Sequence, residues 1–265
     1  MNLKLEGKTA LVSGSTAGIG LAIAKSLAAE GARVIVNGRS EPRVEQALAD
    51  IRNAMSPPPK LEPLVADLSL AAGATLAIQR FPDVDILVNN LGVYAPKPFE
   101  QISDADWLAI IETNFMSGVR LSRHYLPRMK QSNWGRIIFI SSESAVNVPV
   151  EMIHYGVTKT MQIALARGLA ETTKGTGVTV NTVLAGPTRS EGVERFVKDM
   201  AASRGLPPAA VEKEFFQNVR PSSLLQRFAS TEEVAALVTY IASPLSSATN
   251  GAALRAEGGV VRSIL

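Results

Sequence analysis

The chain has 265 residues, of which 46% are hydrophobic, and its net charge is only +3. This hydrophobic fraction supplies a buried core and argues against a disordered chain, while the scattered Lys and Arg residues argue against nucleic-acid binding. The absence of cysteine excludes disulfides and thiolate metal sites. Because no signal-peptide core and no apolar run of bilayer length occur, we expect a cytoplasmic protein with a small-molecule partner and no membrane contact.

Apolar segments with the length of buried strands alternate with helical segments along the chain. The predicted strands are 9–12, 32–37, 61–66, 84–88, 136–140, 178–183 and 252–256. Since most are short continuous apolar runs, we expect a parallel sheet that helices cover on both faces. The sequence therefore predicts one doubly wound α/β domain over residues 1–265, with about seven parallel strands.

Two helical segments flank the edge of the sheet where ligands are expected. A helix beginning near Asp104 is predicted to carry Leu108, Phe115 and other apolar residues on one face. Residues 191–226 look helical but are poorly periodic, and the Gly205-Leu206-Pro207-Pro208 segment interrupts them. We interpret this second segment as a lid-like covering of the substrate.

The turn after the first predicted strand has the sequence Ser13-Gly14-Ser15-Thr16-Ala17-Gly18-Ile19-Gly20 and leads into a helix. Glycines in such a turn let the backbone bend tightly and let a diphosphate approach without meeting a Cβ atom. The helix that follows directs unpaired N–H groups and a partial positive charge at the same place. We expect a dinucleotide to bind there, at the carboxyl ends of the strands, where Arg39, Asp67 and Asn90 also lie.

Tyr155 and Lys159 lie four residues apart in a predicted helix, which places both side chains on one face. An ammonium beside a phenol favours the phenolate, so we expect it to lower the tyrosine pKa from its usual value of about 10. Such a pair also occurs by chance in many helices. Ser142, at the end of the fifth predicted strand and thirteen residues before Tyr155, adds a hydroxyl able to orient a substrate oxygen.

The glycine turn, the Asn89-Asn90-Leu91-Gly92 segment and the set Asn114, Ser142, Tyr155 and Lys159 resemble the motifs of the short-chain dehydrogenase/reductase family. The resemblance covers essentially the whole chain and implies a Rossmann-like fold. It further implies an NADP-dependent oxidoreductase that interconverts a carbonyl and a secondary alcohol by hydride transfer, with Tyr155 as general acid/base. The alternatives are a 3-oxoacyl-thioester reductase, a sugar or polyol dehydrogenase, and a cofactor-binding regulator without turnover.

The resemblance also implies which residues hold the dinucleotide. Asp67 and the Leu68 N–H would bond the adenine. Lys159 would bond the nicotinamide ribose, and Asn114 would hold a water that connects Lys159 to solvent. The implied cofactor-binding set is Gly14, Ser15, Gly18, Ile19, Gly20, Arg39, Asp67, Leu68, Asn90, Gly92, Tyr155, Lys159, Gly186, Thr188 and Ser190.

The end of the second predicted strand favours NADP over NAD. An NAD site places a carboxylate there to accept hydrogen bonds from ribose hydroxyls, and that carboxylate would repel a 2′-phosphate. Gly38 occupies the position where the resemblance places the acid, and Arg39 follows with a planar set of donors suited to a phosphate. Alternatively, Arg39 is a solvated residue and the site accepts NAD as well.

Three further expectations concern residues outside these motifs. Glu143, directly after Ser142, is atypical for the family, and we expect its carboxylate to face solvent rather than substrate. His124 and His154 lack partners at ligand spacing, so we expect no metal site. The apolar tail at 260–265, together with the family's habit of pairing its long helices, implies a homotetramer.

Overall fold

The computed structural model describes residues 2–264 and contains a sheet of seven parallel strands. The strands are β1 Thr9–Val12, β2 Arg33–Gly38, β3 Leu61–Val65, β4 Ile86–Asn89, β5 Gly135–Ser142, β6 Val178–Ala185 and β7 Ala253–Ala256. Their order across the sheet is β3-β2-β1-β4-β5-β6-β7. This arrangement confirms the doubly wound, Rossmann-like α/β fold that the sequence predicts.

Helices cover both faces of the sheet. They are α1 Gly18–Ala29, α2 Glu41–Asn53, α3 Ala71–Arg80, α4 Asp104–Ile111, α5 Ser117–Gln131, α6 Ile153–Glu171, α7 Glu191–Arg204, α8 Pro208–Glu214 and α9 Thr231–Ala242. None of the helices formed by residues 2–264 has the length and apolar character that crossing a bilayer requires.

The alternation of side chains along each strand separates two hydrophobic cores. In β2, Val34 and Val36 pack on one face with residues of α1, α2 and α9. Ile35, between them, packs on the opposite face with residues of α3, α5 and α6. Both faces of the strand are therefore buried, which explains why its sequence is continuously apolar instead of alternating.

The order of the strands reverses between β1 and β4, which are neighbours in the sheet although β2 and β3 separate them in the chain. Ligands of such sheets bind in the crevice at this reversal, outside the carboxyl ends of the strands. The glycine turn follows β1, and Asn90 follows β4 directly. On the far side of β4, β5 and β6 pair as far as Ser142 and Ala185, two residues beyond the predicted strand ends.

The predicted helix from Asp104 is not one regular α-helix. Residues Glu112–Met116 form a π-helical turn between α4 and α5. A π turn changes the angular position of the residues on either side of it, so an α-helical face cannot continue through it. The predicted face was accordingly wrong at Leu108, whose side chain is 66% exposed, whereas Ile110 is buried.

Residues 191–226 form a helical cap, which we define as α7, α8 and the π-helical turn Phe215–Val219 with the loop that follows. α7 ends at Gly205, whose φ of +63° is in the left-handed region that glycine adopts without strain. The cap has its own small cluster of buried apolar side chains. These are Val197, Ala201, Val211 and Phe216, which pack together with Phe228 just after the cap.

Candidate active site

The glycine turn has a backbone that larger residues would disrupt. Gly14 and Gly18 have φ values of +61° and +55°, in the region that favours glycine. Gly20 has an ordinary conformation, but a Cβ atom there would collide with the Gly14 carbonyl oxygen and lie 2.5 Å from Asn90 Nδ2. The turn is thus packed tightly, with the Gly14 carbonyl oxygen and the Asn90 amide lying where a side chain at Gly20 would be.

Buried polar side chains hold this turn against the sheet. Asn37, near the end of β2, accepts a hydrogen bond from Gly14 N at 3.0 Å and donates to the carbonyl oxygens of Leu64 and Ala66. The Ser15 hydroxyl accepts from Asn37 N at 2.9 Å. Ser15, which was predicted to bind the cofactor, has a buried side chain that braces the turn. Asn37 is not among the predicted site residues, although an amide ending the apolar run Val34–Val36 was a signal.

Asn90 ties the end of β4 to the same turn. Its Nδ2 donates to the carbonyl oxygens of Ser13 and Gly14 at 2.9 and 3.0 Å. The Ser13 hydroxyl in turn accepts from the backbone N–H groups of Asn90 and Leu91. Both hydrogens of Asn90 Nδ2 are therefore already used in hydrogen bonds, and the predicted contact of Asn90 with a dinucleotide would have to involve its other atoms.

The predicted adenosine side lies at the carboxyl ends of β2 and β3. Asp67 is half-buried, and its Oδ1 accepts from both the N–H and the hydroxyl of Ser69, while Leu68 is buried. Arg39 is exposed and forms no ion pair with any residue between positions 2 and 264. A Cβ at Gly38 would lie 2.5 Å from Thr16 Cγ2, so this position has no space for an acidic side chain unless Thr16 moves.

Ser142, Tyr155 and Lys159 meet at the base of a cavity. Ser142 ends β5, and its hydroxyl accepts from Ser144 N at 3.1 Å. Lys159 is buried in α6, donates from Nζ to the Ile140 carbonyl oxygen at 2.8 Å, and lies 5.7 Å from the centre of the Tyr155 ring. The neighbouring Ser141 hydroxyl points elsewhere, to the Lys159 backbone carbonyl. The structure thus distinguishes the two serines.

The pKa values of this group differ from the sequence-based expectation. Burial raises the pKa of Tyr155 to about 12, against a smaller opposing influence of the Ser142 hydroxyl. Burial also lowers the pKa of Lys159 to about 8. The expected lowering of the tyrosine pKa by the nearby ammonium was therefore wrong for this structure, because removing the phenol from water costs the charged form more.

Asn114 lies in the π-helical turn, beside Lys159 and Gly92. Its Oδ1 accepts from Val93 N at 2.7 Å, and its Nδ2 donates to the Val93 carbonyl oxygen and to Thr158 Oγ1. Its backbone carbonyl accepts from Gln162 Nε2. The side chain of Asn114 thus fixes the loop after β4 against α6. π turns are frequent at functional sites, where they redirect particular groups.

Glu143 does not face solvent, and that expectation was wrong. The residue is 3% exposed, and its Oε1 accepts from Arg220 Nε at 2.9 Å. Arg220 lies at the end of the cap and also approaches Glu151 at 3.6 Å. Burial raises the pKa of the Glu143 carboxyl, and the Arg220 charge opposes this shift. The Arg220 guanidinium, 77 residues further along the chain, offsets part of the free-energy cost of burying the Glu143 carboxylate. The local sequence had predicted that this carboxylate is exposed.

A cavity of about 720 Å³ connects the glycine turn with the base of the site and the cap. Of the predicted residues, those lining it are Gly14, Ile19, Gly20, Asn90, Gly92, Ser142, Tyr155, Lys159, Gly186, Thr188 and Ser190. Ser15, Gly18, Arg39, Asp67, Leu68 and Asn114 lie outside its lining. The Ser190 hydroxyl accepts from Val193 N and so begins α7, which joins the predicted cofactor edge directly to the cap.

The cavity wall also includes residues that are absent from the predicted set. Tyr94, in the loop after β4, places its ring 6.2 Å from the ring of Tyr155. Glu143 and Arg220 form the ion pair described above. Arg220 belongs to the segment 191–226 that was predicted to cover the substrate, but its pairing with Glu143 was not predicted, because Glu143 follows the distant strand β5.

The chain is similar over its whole length to known oxidoreductases. The short chain dehydrogenase family model matches residues 8–201. The uncharacterized oxidoreductase YvaG of Bacillus subtilis is 49% identical over 264 residues, 100% of both chains. D-beta-hydroxybutyrate dehydrogenase of Cupriavidus necator is 35% identical over 97% of this chain and 99% of that protein. The solved structure of L-sorbose reductase from Gluconobacter frateurii, complexed with NADPH and L-sorbose, matches with a TM-score of 0.92 at 26% identity, over 100% of both chains.

Proposed function

The chain belongs to the short chain dehydrogenase family and is an oxidoreductase of CH–OH and C=O groups, and we propose that it is NADP-dependent with Tyr155 as general acid/base. The observation that carries this proposal is the meeting of Ser142, Tyr155 and Lys159 at one end of a cavity whose other end is the glycine turn. A substrate carbonyl and a dinucleotide would therefore share one cavity.

The residues present fit a dinucleotide. The glycine turn offers main-chain N–H groups at the N-terminus of α1, where no side chain caps the helix, and a Cβ at Gly20 would crowd the turn. Lys159 would bond ribose hydroxyls, and Thr188 and Ser190 would border the nicotinamide end. When bound, the dinucleotide supplies a hydride to the carbonyl carbon or removes one from the alcohol carbon.

Tyr155 handles the proton that accompanies this transfer. In the reducing direction the phenol donates its proton to the carbonyl oxygen, while the Ser142 hydroxyl donates a hydrogen bond to the same oxygen. With a pKa of about 12, Tyr155 carries its proton at neutral pH and is ready to donate it. In the oxidising direction the phenolate would accept the alcohol proton.

The preference for NADP rests on the end of β2. Arg39 is exposed there, and no acidic side chain at Gly38 opposes a 2′-phosphate. The L-sorbose reductase that shares the fold was solved with NADPH. An indifferent site that also accepts NAD is the alternative.

Two substrate classes compete within this function. The similarity to D-beta-hydroxybutyrate dehydrogenase supports short hydroxy acids and the related 3-oxoacyl compounds as substrates. The similarity to L-sorbose reductase supports sugars and polyols. A regulator without turnover is disfavoured because Tyr155 and Lys159 are both present. We place these two residues in the reaction itself.

We also propose a homotetramer. Several large apolar side chains are exposed on helices, among them Leu108 on α4 and Val157 on α6, the helix that carries Tyr155. Such faces are typical of subunit contacts. Light scattering at micromolar concentration should give a mass of about four chains, and a mass of one chain would contradict the proposal.

Replacing Tyr155 with phenylalanine tests the reaction directly. Tyr155→Phe removes the proton donor and keeps the ring, so kcat on any verified carbonyl substrate should fall at least ~10²-fold while NADPH binding changes little. Turnover is measured by cofactor absorbance on a panel of carbonyls and alcohols.

The matched control removes a tyrosine hydroxyl outside the cavity. The buried Tyr125 hydroxyl donates to the Phe81 carbonyl oxygen at 2.8 Å. Tyr125→Phe should lower stability modestly and leave kcat unchanged. Wild-type rates for Tyr155→Phe would refute the proposed acid/base role.

A further inference from the structure

Glu143 is a buried carboxylate in the wall of the active-site cavity, one residue after Ser142. Its Oε1 accepts the hydrogen bond from Arg220. Its Oε2 is equally enclosed and has no donor at ordinary hydrogen-bond distance and angle among residues 2–264, although the Ser144 hydroxyl lies near enough to lower the pKa of the carboxyl. Buried acceptors without a partner are rare in folded proteins and mark places where a ligand or water completes a site.

The position of this free acceptor relates it to the substrate. Ser142 and Tyr155 are the two groups that would bond the reacting oxygen, and Glu143 follows Ser142 directly along the wall. The Glu143 charge also acts on the Tyr155 hydroxyl. A group bonded to Glu143 would therefore be attached close to the reacting carbon.

We propose that Glu143 Oε2 accepts a hydrogen bond from a hydroxyl group next to the reacting carbon, so that the substrate is a polyhydroxylated compound of the sugar or polyol class. This inference rests on the proposed carbonyl–alcohol chemistry and names its substrate class. A hydroxyl supplies the donor that Oε2 lacks. The methylene group next to the carbonyl of a 3-oxoacyl thioester supplies none, and would leave the carboxylate buried without a partner.

The charges along the cavity argue against an anionic substrate. Besides Lys159, its basic residues are Arg204 and Arg220. Arg204 pairs with Glu214 at 3.0 Å. Arg220 already faces two carboxylates, Glu143 at 2.9 Å and Glu151 at 3.6 Å. At this end of the cavity, the acidic side chains would repel a substrate carboxylate, and the arginines that could neutralise it are already paired with those acids. A neutral hydroxyl group would not be repelled.

Three small ketones separate a donated hydrogen bond from other effects of an oxygen substituent. The probes are 1-hydroxy-2-propanone, 1-methoxy-2-propanone, which has the oxygen but no hydrogen to donate, and butanone. A site built to bond a hydroxyl discriminates against analogues that lack it. We expect wild-type kcat/KM for the hydroxy ketone to exceed that for the methoxy ketone by roughly ten- to a hundredfold.

Glu143→Gln assigns that preference to the carboxylate. Arg220 Nε will retain the amide oxygen as its acceptor, which leaves an NH₂ donor where Oε2 was. The preference for hydroxy over methoxy ketone should fall about tenfold. Because the Glu143 charge also acts on Tyr155, the readout is the ratio of the two kcat/KM values and not either rate alone. Glu151→Gln, which removes another carboxylate beside Arg220, serves as the matched control and should keep the wild-type preference.

The outcomes separate this inference from the function on which it rests. Wild-type discrimination below about twofold overturns the inference and leaves the carbonyl chemistry standing. Turnover of acetoacetyl thioesters alone, in a wider panel of carbonyl compounds, would also overturn the inference and leave the carbonyl chemistry standing. An equal loss of preference in Glu151→Gln also overturns it, because general charge would then be the cause. Failure to reduce any carbonyl in the panel with either cofactor overturns both.

Discussion

The cofactor edge of the sheet and the helical cap are held together by different kinds of interaction. At the cofactor edge, the buried Asn37 side chain accepts from a backbone N–H of the glycine turn, and the buried Ser13 hydroxyl of that turn accepts from the backbone N–H groups of Asn90 and Leu91. In the cap, exposed ion pairs join Arg189 to Glu212 and Arg204 to Glu214. Replacing one partner of a buried hydrogen bond lowers stability, because the other partner is left unpaired in the interior. An exposed ion pair contributes only about 0–1 kcal/mol to the free energy of unfolding.

This difference suggests which region can change during divergence. The cofactor edge is constrained at the level of the backbone, because a side chain at Gly20 would collide with main-chain atoms. The cap has a small apolar cluster and is joined to the sheet through Ser190 and through the buried Arg220–Glu143 ion pair. Because other ion pairs of the cap, such as Arg204–Glu214, are exposed, we expect the cap to open or be remodelled while the sheet stays intact, and substrate range to depend on it.

The largest expected effect compares a core side chain of each region. Ile35→Ala, in the sheet core, should lower the free energy of unfolding by about 2–5 kcal/mol. Phe216→Ala removes a larger buried side chain from the cap cluster, yet it should lower global stability by less, because the cap can open locally. Urea denaturation measures the global free energy of unfolding of each variant. Hydrogen exchange at 191–219 measures local opening of the cap, and KM reports how that opening affects substrate binding.

The comparison would fail if both variants lowered global stability equally. That result would mean that the cap and the sheet unfold as one cooperative unit. Faster exchange confined to the cap in Phe216→Ala, with exchange in β1 and β5 unchanged, is the expected pattern.

The next effect lies at the base of the site, where adjacent serines differ in direction. Ser142→Ala removes the hydroxyl expected to bond the reacting oxygen, so kcat should fall about 10²-fold. Ser141→Ala removes only the hydrogen bond to the Lys159 backbone carbonyl, so it should lower the Tm with a much smaller change in kcat. Steady-state kinetics and thermal melts of both variants provide the measurement. Equal losses of kcat would show that the wrong serine was assigned.

The smallest of these effects concerns Arg39, an exposed residue on the otherwise constrained cofactor side. Losing one charge-assisted contact to a phosphate should weaken NADPH binding roughly ten- to a hundredfold in Arg39→Ala and leave NADH binding almost unchanged. Arg52→Ala, at the other end of α2, is the matched control and should change neither. Titration of both cofactors decides the assignment, and tighter binding of NADH than NADPH by the wild type would refute it.

Much of the fold could be predicted because its signals are local. The continuous apolar strand Val34–Val36 requires burial on two faces, and the glycines after β1 permit a turn that other residues disrupt. The spacing of Tyr155 and Lys159 places both on one face of α6 without any distant partner. The seven parallel strands follow from such patterns, and the family resemblance added the meeting of Ser142 with Tyr155.

Other features depend on residues that are far apart in the chain, and only the tertiary structure decided them. Glu143 is buried because Arg220 reaches it from the cap, and Asn37 serves the glycine turn because β2 lies beside β1. The π-helical turn at Asn114 is accompanied by bonds to Val93 and Thr158. Local sequence encodes periodicity and backbone freedom. Burial, charge compensation and pKa values depend on how distant segments exclude water, so the sequence alone predicted the position of Tyr155 but not its raised pKa.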